Sequence, residues 1–166
     1  MAELVNKIAN SGLITLDLGV HFHAGERVLF DIKPHLFHEL ILKEKDFREF
    51  VKNHDWSQYE GKNVALICSN DAIVPKWAYM LLVTAIQPFA NRVVYGNLET
   101  LDYILYMDAF ADVDLEQYRD QRIILKGCGD PPVPISAYTE MTTRLLPIVK
   151  SLMYGEPCST VPVFKK

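Results

Sequence analysis

Three cysteines, Cys68, Cys128 and Cys158, offer this sequence its widest choice of chemistry. Three thiolates brought together could hold zinc or an iron–sulfur cluster, with a carboxylate, a histidine or a water molecule as the fourth ligand. A thiol that precedes a helix N-terminus is also a candidate nucleophile, which applies to Cys68 and Cys128. The alternative for Cys68 is that it is a small apolar residue of a strand. The sequence contains no Cys-x-x-Cys motif that would favour a metal site more strongly.

Aspartates and glycines close to these cysteines form a second set of candidates. Paired carboxylates from Asp71 and Asp130 could act as general acid and base or hold a divalent cation. The favoured alternative is that each aspartate caps the helix that follows it by accepting backbone N–H bonds. Two glycines flank Cys128 and leave room for an anion to approach a helix N-terminus. The candidate ligand-binding residues are Asp71, Asp130, Gly127, Gly129 and Glu156.

Histidines and tyrosines are weaker candidates. The histidines that occur in closely spaced pairs are His21, His23, His35 and His38. Because no glutamate completes a His-Glu-x-x-His motif, exposed polar positions are the favoured interpretation for them. Tyr79 and Tyr138 stand one turn into matching predicted helices, and we interpret them as packing residues between two halves of the chain rather than as catalytic groups.

The elements that position these residues come from a sequence that repeats itself. When the segment 55–96 is laid without gaps on the segment 114–155, identical residues meet at many positions. They include the pairs Asp55/Asp114, Asp71/Asp130, Tyr79/Tyr138 and Tyr95/Tyr154. Chance would give roughly two or three identities, given ordinary residue frequencies. A repeat of two copies indicates two similar halves rather than a solenoid.

Each copy predicts a strand, a helix and a strand. Short apolar runs at 64–68 and 123–125 are typical of strands buried on both faces. Helices are predicted at 75–86 and 134–145 because a proline opens each one, and second strands at 93–96 and 152–155 end at glycine. A crossover of this kind makes the two strands parallel.

The predicted fold class is therefore α/β, with one mainly parallel sheet and flanking helices built from two tandem repeats at 41–99 and 100–158. Residues 1–166 are predicted to form a single domain. A short helix near Leu4 and two edge strands, joined by a turn near Gly25, are assigned to residues 1–40. Residues 159–166 form a C-terminal tail with a final extended segment.

Ligands of an open parallel sheet bind outside the carboxyl ends of the strands. Cys68 and Asp71 follow the first strand of copy one, and Cys128 and Asp130 follow that of copy two. Cys158 follows the last predicted strand. The sequence thus predicts that all three cysteines lie on one edge of one sheet, with Cys128 and Cys158 close to each other.

Composition excludes several classes of protein. The formal net charge is −4, from 21 acidic and 17 basic residues, and no Lys/Arg cluster stands out along the chain, so nucleic acid is not an expected partner. The longest apolar runs are too short to span a membrane, and the first residues do not read as a secretory signal. An odd number of cysteines favours reduced thiols in the cytoplasm. The hydrophobic share of 49% leaves homo-oligomerisation open.

Four segments resemble a bacterial family that is classed as a domain of unknown function. These are residues 47–59, 71–79, 126–130 and 154–162, and the match covers nearly the whole chain. The resemblance implies no activity for any residue. The family is loosely associated with gene neighbourhoods for sulfur mobilisation and iron–sulfur cluster assembly, which favours a role for the thiols or for a metal.

Three functions follow, and the sequence leaves open whether any of them is enzymatic. The first is a protein that handles metal or sulfur through the cysteine-lined edge, with zinc or an iron–sulfur cluster as the cofactor. The second is an enzyme or binding protein for a small anionic molecule at the same edge. The third is a non-catalytic scaffold or interaction protein. The sequence names neither a substrate nor a metal.

Overall fold

The computed structural model describes residues 12–127 and 129–166. The strands of this part of the chain are β1 (Leu13–Asp17), β2 (Arg27–Asp31), β3 (Asn63–Ile67), β4 (Arg92–Tyr95), β5 (Arg122–Lys126), β6 (Ser151–Glu156) and β7 (Ser159–Lys165). The α-helices are α1 (Glu44–Asn53), α2 (Lys76–Ile86), α3 (Leu98–Ala111) and α4 (Ile135–Leu145). Short 3-10 helices lie at Leu18–His21, Lys33–His35, Trp56–Tyr59 and Leu115–Tyr118. No helix in the described ranges is both long enough and apolar enough to cross a membrane.

The chain divides into two compact units, each with its own sheet. The central unit, Ala24–Leu105, contains a parallel sheet with the strand order β2-β3-β4. The terminal unit comprises the described part of Met1–His23 together with that of Tyr106–Lys166, and its sheet has the order β1-β5-β6-β7. In that sheet β1, β5 and β6 are parallel and β7 is antiparallel to β6.

The predicted fold class, α/β with mainly parallel strands and flanking helices, is confirmed, but the prediction of one sheet is wrong. Each copy recruits a strand of its own from the chain that precedes Ile32, β2 beside β3 and β1 beside β5. Two sheets therefore form where the sequence predicted one, and β1 and β2 are not paired with each other. The single domain stays a prediction, and the predicted helix near Leu4 lies outside the described residues.

Buried apolar runs and proline starts explain the central elements of each unit. Val64, Ala65 and Leu66 of β3 are almost completely buried, which a strand covered on both faces requires. Both α2 and α4 begin directly after a proline, whose extended backbone leads into the first turn. The helix starts are therefore one position later than the sequence predicts.

Each unit has its own hydrophobic core, which forms between its sheet and one helix. That helix is α2 in the central unit and α4 in the terminal unit. In the central unit, α2 packs on one face of the sheet through Ala78, Leu82 and Ile86, and Leu101 and Leu105 of α3 pack against Ala65 and Val94 in a second cluster. The terminal core joins these residues: Leu18, Phe110, Ile123, Ala137, Met141, Leu145 and Leu152. The cores hold the strand ends in fixed positions, and the strand ends carry the candidate site residues.

The element bounds of the two copies differ by the same offset as the sequence repeat. This offset relates Trp56–Tyr59 to Leu115–Tyr118, β3 to β5 and α2 to α4, and it relates the first residues of β4 and β6. A common origin by duplication stays a prediction. The predicted C-terminal extended segment is β7, which returns along β6 after a tight turn at Pro157 and Cys158.

Candidate functional site

The carboxyl edge of the central sheet is organised by Asp31, the last residue of β2. Its carboxylate accepts hydrogen bonds from the backbone N–H groups of Lys33 and Ser69, both at 3.0 Å, and from the Ser69 hydroxyl. Burial raises the pKa of Asp31, but the hydrogen bonds from Ser69 and Lys33, together with the Lys33 charge, outweigh burial and lower it. The carboxylate therefore stays ionised at neutral pH and fixes the loop that follows β3.

A pair of tyrosines and a thiol lie beside this carboxylate. The rings of Tyr79 and Tyr95 meet edge to face, with centroids 5.0 Å apart. Burial, followed by the neighbouring Cys68, Tyr95 and Asp31, raises the pKa of Tyr79 to about 12, so its phenol stays protonated at neutral pH. The half-buried Cys68 thiol donates a hydrogen bond to the Asn70 carbonyl at 3.3 Å.

The carboxyl edge of the terminal sheet carries charges of both signs. Lys126, the last residue of β5, forms an ion pair with Glu156, the last residue of β6, with Nζ 3.2 and 3.4 Å from the two carboxylate oxygens. Asp17, at the end of β1, accepts a hydrogen bond from the Gly19 N–H at 2.8 Å. This edge therefore places an ammonium group and carboxylates at neighbouring strand ends.

A second tyrosine pair lies beside a cavity in the terminal unit. The rings of Tyr138 and Tyr154 meet edge to face at 5.7 Å, and the Tyr138 hydroxyl donates to the Gly127 carbonyl at 3.3 Å. A Cβ atom at Gly127 would overlap that hydroxyl, so any other residue there would require the Tyr138 ring to move. The cavity has a volume of about 350 Å³, and its walls include Leu125, Ile135, Tyr138, Thr142, Met153 and Tyr154. We call it the tyrosine cavity.

The prediction that Asp71 and Asp130 cap helices is wrong. The N-cap residues of α2 and α4 are Pro75 and Pro134, and neither helix has a side-chain cap bond. Both aspartates are exposed and stand several residues before the helix, because each loop continues past the aspartate before the first turn begins.

Within the repeat, the aspartates that do cap are Asp55 and Asp114. Each accepts a backbone N–H bond at the start of a 3-10 helix, from Ser57 and from Glu116 respectively, both at 3.1 Å. They too are equivalent positions of the repeat. The two copies therefore share a capping role at a different pair of aspartates from the one predicted.

The prediction that the three cysteines share one edge is wrong as well. Cys68 follows a strand of the central sheet, whereas Cys158 is exposed in the turn between β6 and β7 of the terminal sheet. Cys128, and with it the predicted approach of Cys128 and Cys158, lies outside the described residues. Within residues 12–127 and 129–166, no group of three or more His, Cys, Asp or Glu side chains is arranged to hold a metal ion. Gly129 is exposed in the loop after β5, and no contact in the described ranges gives it a ligand role.

The histidines divide between exposed and packed positions. The His38 ring is exposed as predicted, but His35 stacks on Phe50 with centroids 3.9 Å apart and on Phe30 at 5.5 Å. Burial and the charge of His54 lower the pKa of His35, and Asp31 opposes them. Burial also lowers the pKa of His21, with Asp17 opposing. These rings serve packing, which polarity alone did not reveal.

Sequence reasoning missed Tyr154 and Lys126 as candidates for the site. Tyr154 had a signal, because Tyr95-Gly96 and Tyr154-Gly155 are among the identities of the repeat, and each tyrosine ends or nearly ends a strand. Lys126 had none, since its counterpart in copy one is the apolar Ile67.

The chain belongs to a family described as "Protein of unknown function (DUF2480)", whose sequence model matches residues 2–166. No curated protein and no solved structure matches the chain. The family description assigns no reaction, so the geometry of the site carries the functional argument.

Proposed function

We propose that this protein binds a small molecule with an aromatic or apolar body and one acidic group, and that the ligand lies in the tyrosine cavity. The observation that carries the proposal is the position of the cavity. It extends along α4 from Ile135 to Thr142 and along β6, and one end of it lies at Leu125, near the carboxyl end of β5, where ligands of open parallel sheets bind. Of the three functions that the sequence suggests, this corresponds to the second, a protein for a small anionic molecule, taken as a binding protein rather than an enzyme.

The walls of the cavity suit the body of such a ligand. Leu125, Ile135 and Met153 supply apolar surface, and Tyr138 and Tyr154 supply ring edges and faces. A volume of about 350 Å³ is at the small end of the ~300–1,000 Å³ typical of ligand pockets. A single aromatic ring with a short side chain is the size that this space favours.

The start of α4 suits the acidic group. Ile135 lines the cavity and is also the first residue of the helix. The N-cap residue, Pro134, has no side-chain acceptor, so the N–H groups of the first turn receive no cap from it. A helix N-terminus carries partial positive charge and binds carboxylates or phosphates through such N–H groups.

Ligand-observed NMR and calorimetry with phenylacetate test the proposal. Two comparison ligands are phenylacetamide, which lacks the charge, and acetate, which lacks the ring. We expect phenylacetate to bind, and each comparison ligand to bind at least about three-fold more weakly. Tyr154→Ala should weaken phenylacetate about ten-fold, since a ring wall is worth roughly 1–1.5 kcal/mol.

Tyr95→Ala is the matched control, because Tyr95 is the equivalent half-exposed tyrosine of the central unit, and it should leave binding unchanged. Equal binding to the Tyr154→Ala and wild-type proteins would refute the location. Equal loss in both tyrosine variants would indicate a general effect on folding and would also count against the proposal.

A second candidate function is the handling of metal or sulfur by reduced thiols in a bacterial cytoplasm. Its support is the exposure of Cys158 in a tight turn directly after the Lys126–Glu156 ion pair, where a thiol is accessible to reagents. Zinc or an iron–sulfur cluster is the cofactor of this candidate. Metal analysis of protein purified without oxygen tests it: a stoichiometric metal that Cys158→Ser removes and Cys68→Ser retains is the expected result, and metal-free wild-type protein contradicts it.

A further inference from the structure

Strand register assembles a row of cationic side chains at the edge of the terminal sheet where β5 and β6 begin and β7 ends. Arg122 of β5 pairs with Ser151 of β6, and Ser151 pairs with Lys165 of β7. Directly paired residues point to the same face of a sheet, and neighbouring strands are about 4.8 Å apart. Arg122 and Lys165 therefore flank Ser151 on one face, and Lys150 stands immediately before it.

These residues line a cavity of about 550 Å³, which we call the amino-end pocket. Its charged side chains are Arg122, Lys150 and Lys165, all exposed, and its apolar floor includes Met153 and Pro162, which pair with each other. Among the described residues that line it there is no acidic side chain. Asp120, which stands shortly before β5, pairs instead with Lys166, at 3.8 Å.

The local charge opposes the charge of the whole chain. The protein has a formal net charge of −4, yet three cations share this pocket. In the described part of the chain, no carboxylate forms an ion pair with Arg122, Lys150 or Lys165. Clustered cations repel one another, and an anion that binds among them offsets this repulsion. A cluster of this kind therefore attracts a polyvalent anion.

We propose that the amino-end pocket binds an organic phosphate monoester, with its phosphate among Arg122, Lys150 and Lys165 and its organic body against the apolar floor. A phosphate monoester is a dianion near neutral pH and so interacts with several cations at once, and the arginine fork matches its oxygens in a bidentate manner. The Ser151 hydroxyl, between the two flanking cations, supplies one further donor. This site shares Met153 with the tyrosine cavity, but its charged residues are its own.

The apolar floor distinguishes an organic phosphate from inorganic phosphate. Burial of about 60 Å² of a phenyl ring corresponds to roughly ten-fold in affinity. We therefore expect phenyl phosphate to bind about ten-fold more tightly than inorganic phosphate, and benzyl alcohol, which has the ring without the charge, to show no binding.

Calorimetry of the full chain with phenyl phosphate tests the proposal. Lys165→Gln and Lys150→Gln should each weaken phenyl phosphate about five- to ten-fold, and added salt should weaken it further. The matched control is Lys45→Gln, an exposed lysine of α1 in the central unit, which should bind like wild type. These substitutions lie on the surface, and a thermal midpoint for each variant checks that it is folded.

Three outcomes would overturn the proposal. The first is an equal affinity of the Lys165→Gln and Lys45→Gln variants for phenyl phosphate. The second is an equal affinity of the wild-type protein for inorganic and phenyl phosphate, which means that the floor is not used. The third is loss of phenyl phosphate in Tyr154→Ala with retention in Lys165→Gln, which assigns the ligand to the tyrosine cavity and supports the proposed function instead.

Discussion

The central and terminal units carry the same pair of tyrosines at the carboxyl edge of a sheet, but the strand end beside the pair differs. The rings meet edge to face at 73° in Tyr79–Tyr95 and at 72° in Tyr138–Tyr154. In the central unit, Cys68 follows the strand, and Cys68 and Asp31 help to raise the pKa of Tyr79. In the terminal unit the position of Cys68 is occupied by Gly127.

This difference shows how the same tyrosine pair can lie in two different chemical environments. Without a side chain at position 127, the Tyr138 hydroxyl reaches the strand end and bonds to the Gly127 carbonyl. In the central unit, Cys68 instead occupies the strand end, and Tyr79 is left among groups that disfavour its ionisation. The tyrosine pair is therefore a shared packing element, and the residue after the strand decides what chemistry lies beside it.

Gly127→Cys, which makes the terminal edge resemble the central one, should have the largest effect on stability. Its Cβ would overlap the Tyr138 hydroxyl and lie 2.8 Å from Val133 Cγ2. Overpacking of this kind costs about 1–3 kcal/mol, and we expect the upper end because two neighbours are displaced. Urea unfolding measures the change.

The double variant Gly127→Cys/Tyr138→Phe tests the cause, because phenylalanine lacks the hydroxyl that the new Cβ meets. It should recover about half of the loss, and the matched change Cys68→Gly in the central unit should cost less than Gly127→Cys. A double variant as unstable as Gly127→Cys would show that the hydroxyl is not the obstacle.

A smaller effect separates the aspartates that cap from those that do not. Asp114→Ala should lower the free energy of unfolding by about 1 kcal/mol, since it removes the bond to the Glu116 N–H, and Asp55→Ala should also be destabilising. Asp71→Ala and Asp130→Ala should change it by less than about 0.5 kcal/mol, as exposed positions without a cap bond do. Thermal and urea unfolding of the four variants decides between them, and a large loss in Asp130→Ala would restore a structural role for that residue.

The sequence was sufficient where the signal is local. Buried apolar runs located β3 and β5, and prolines located the starts of α2 and α4 to within one position. The capping aspartates were also present in the repeat, but the choice between Asp55 and Asp71 depends on where the next turn begins. A short stretch of extra loop removes Asp71 from its helix, and composition does not fix loop length.

Strand pairing is not local, and the sequence did not predict it. The amino-end pocket combines Arg122, Lys150 and Lys165, which are too far apart along the chain to be recognised as a basic cluster. Only the register of β5, β6 and β7 brings them together, and the return of β7 along β6 depends on a turn that contains no glycine. The placement of Cys68 and Cys158 beside different sheets has the same origin, since each copy pairs with a different early strand.

The histidines after the first strand of each sheet give the smallest predicted effect, a dependence of stability on pH. His35 in the central unit and His21 in the terminal unit both have a pKa lowered by burial. In the unfolded chain a histidine takes up a proton near pH 6.5, whereas the folded protein resists protonation until the pH is lower. The contribution to stability is thus complete above about pH 6.5 and is lost as the pH falls below it.

Replacement of the buried rings should therefore flatten the acid side of the stability profile. Urea unfolding of the wild-type protein should give a free energy of unfolding that falls as the pH is lowered from 7 to 5. His35→Phe should make this fall less steep, because phenylalanine keeps the stack with Phe30 and Phe50 and cannot be protonated.

His54 lowers the pKa of His35 and Asp31 raises it, so His54→Gln should flatten the profile in the same direction as His35→Phe but by less. His21→Phe extends the comparison to the terminal unit, where Asp17 opposes burial in the same way. A His35→Phe profile as steep as that of the wild-type protein would mean that the ring is protonated as easily in the folded protein as in the unfolded chain, and that the aromatic stack does not exclude its charge.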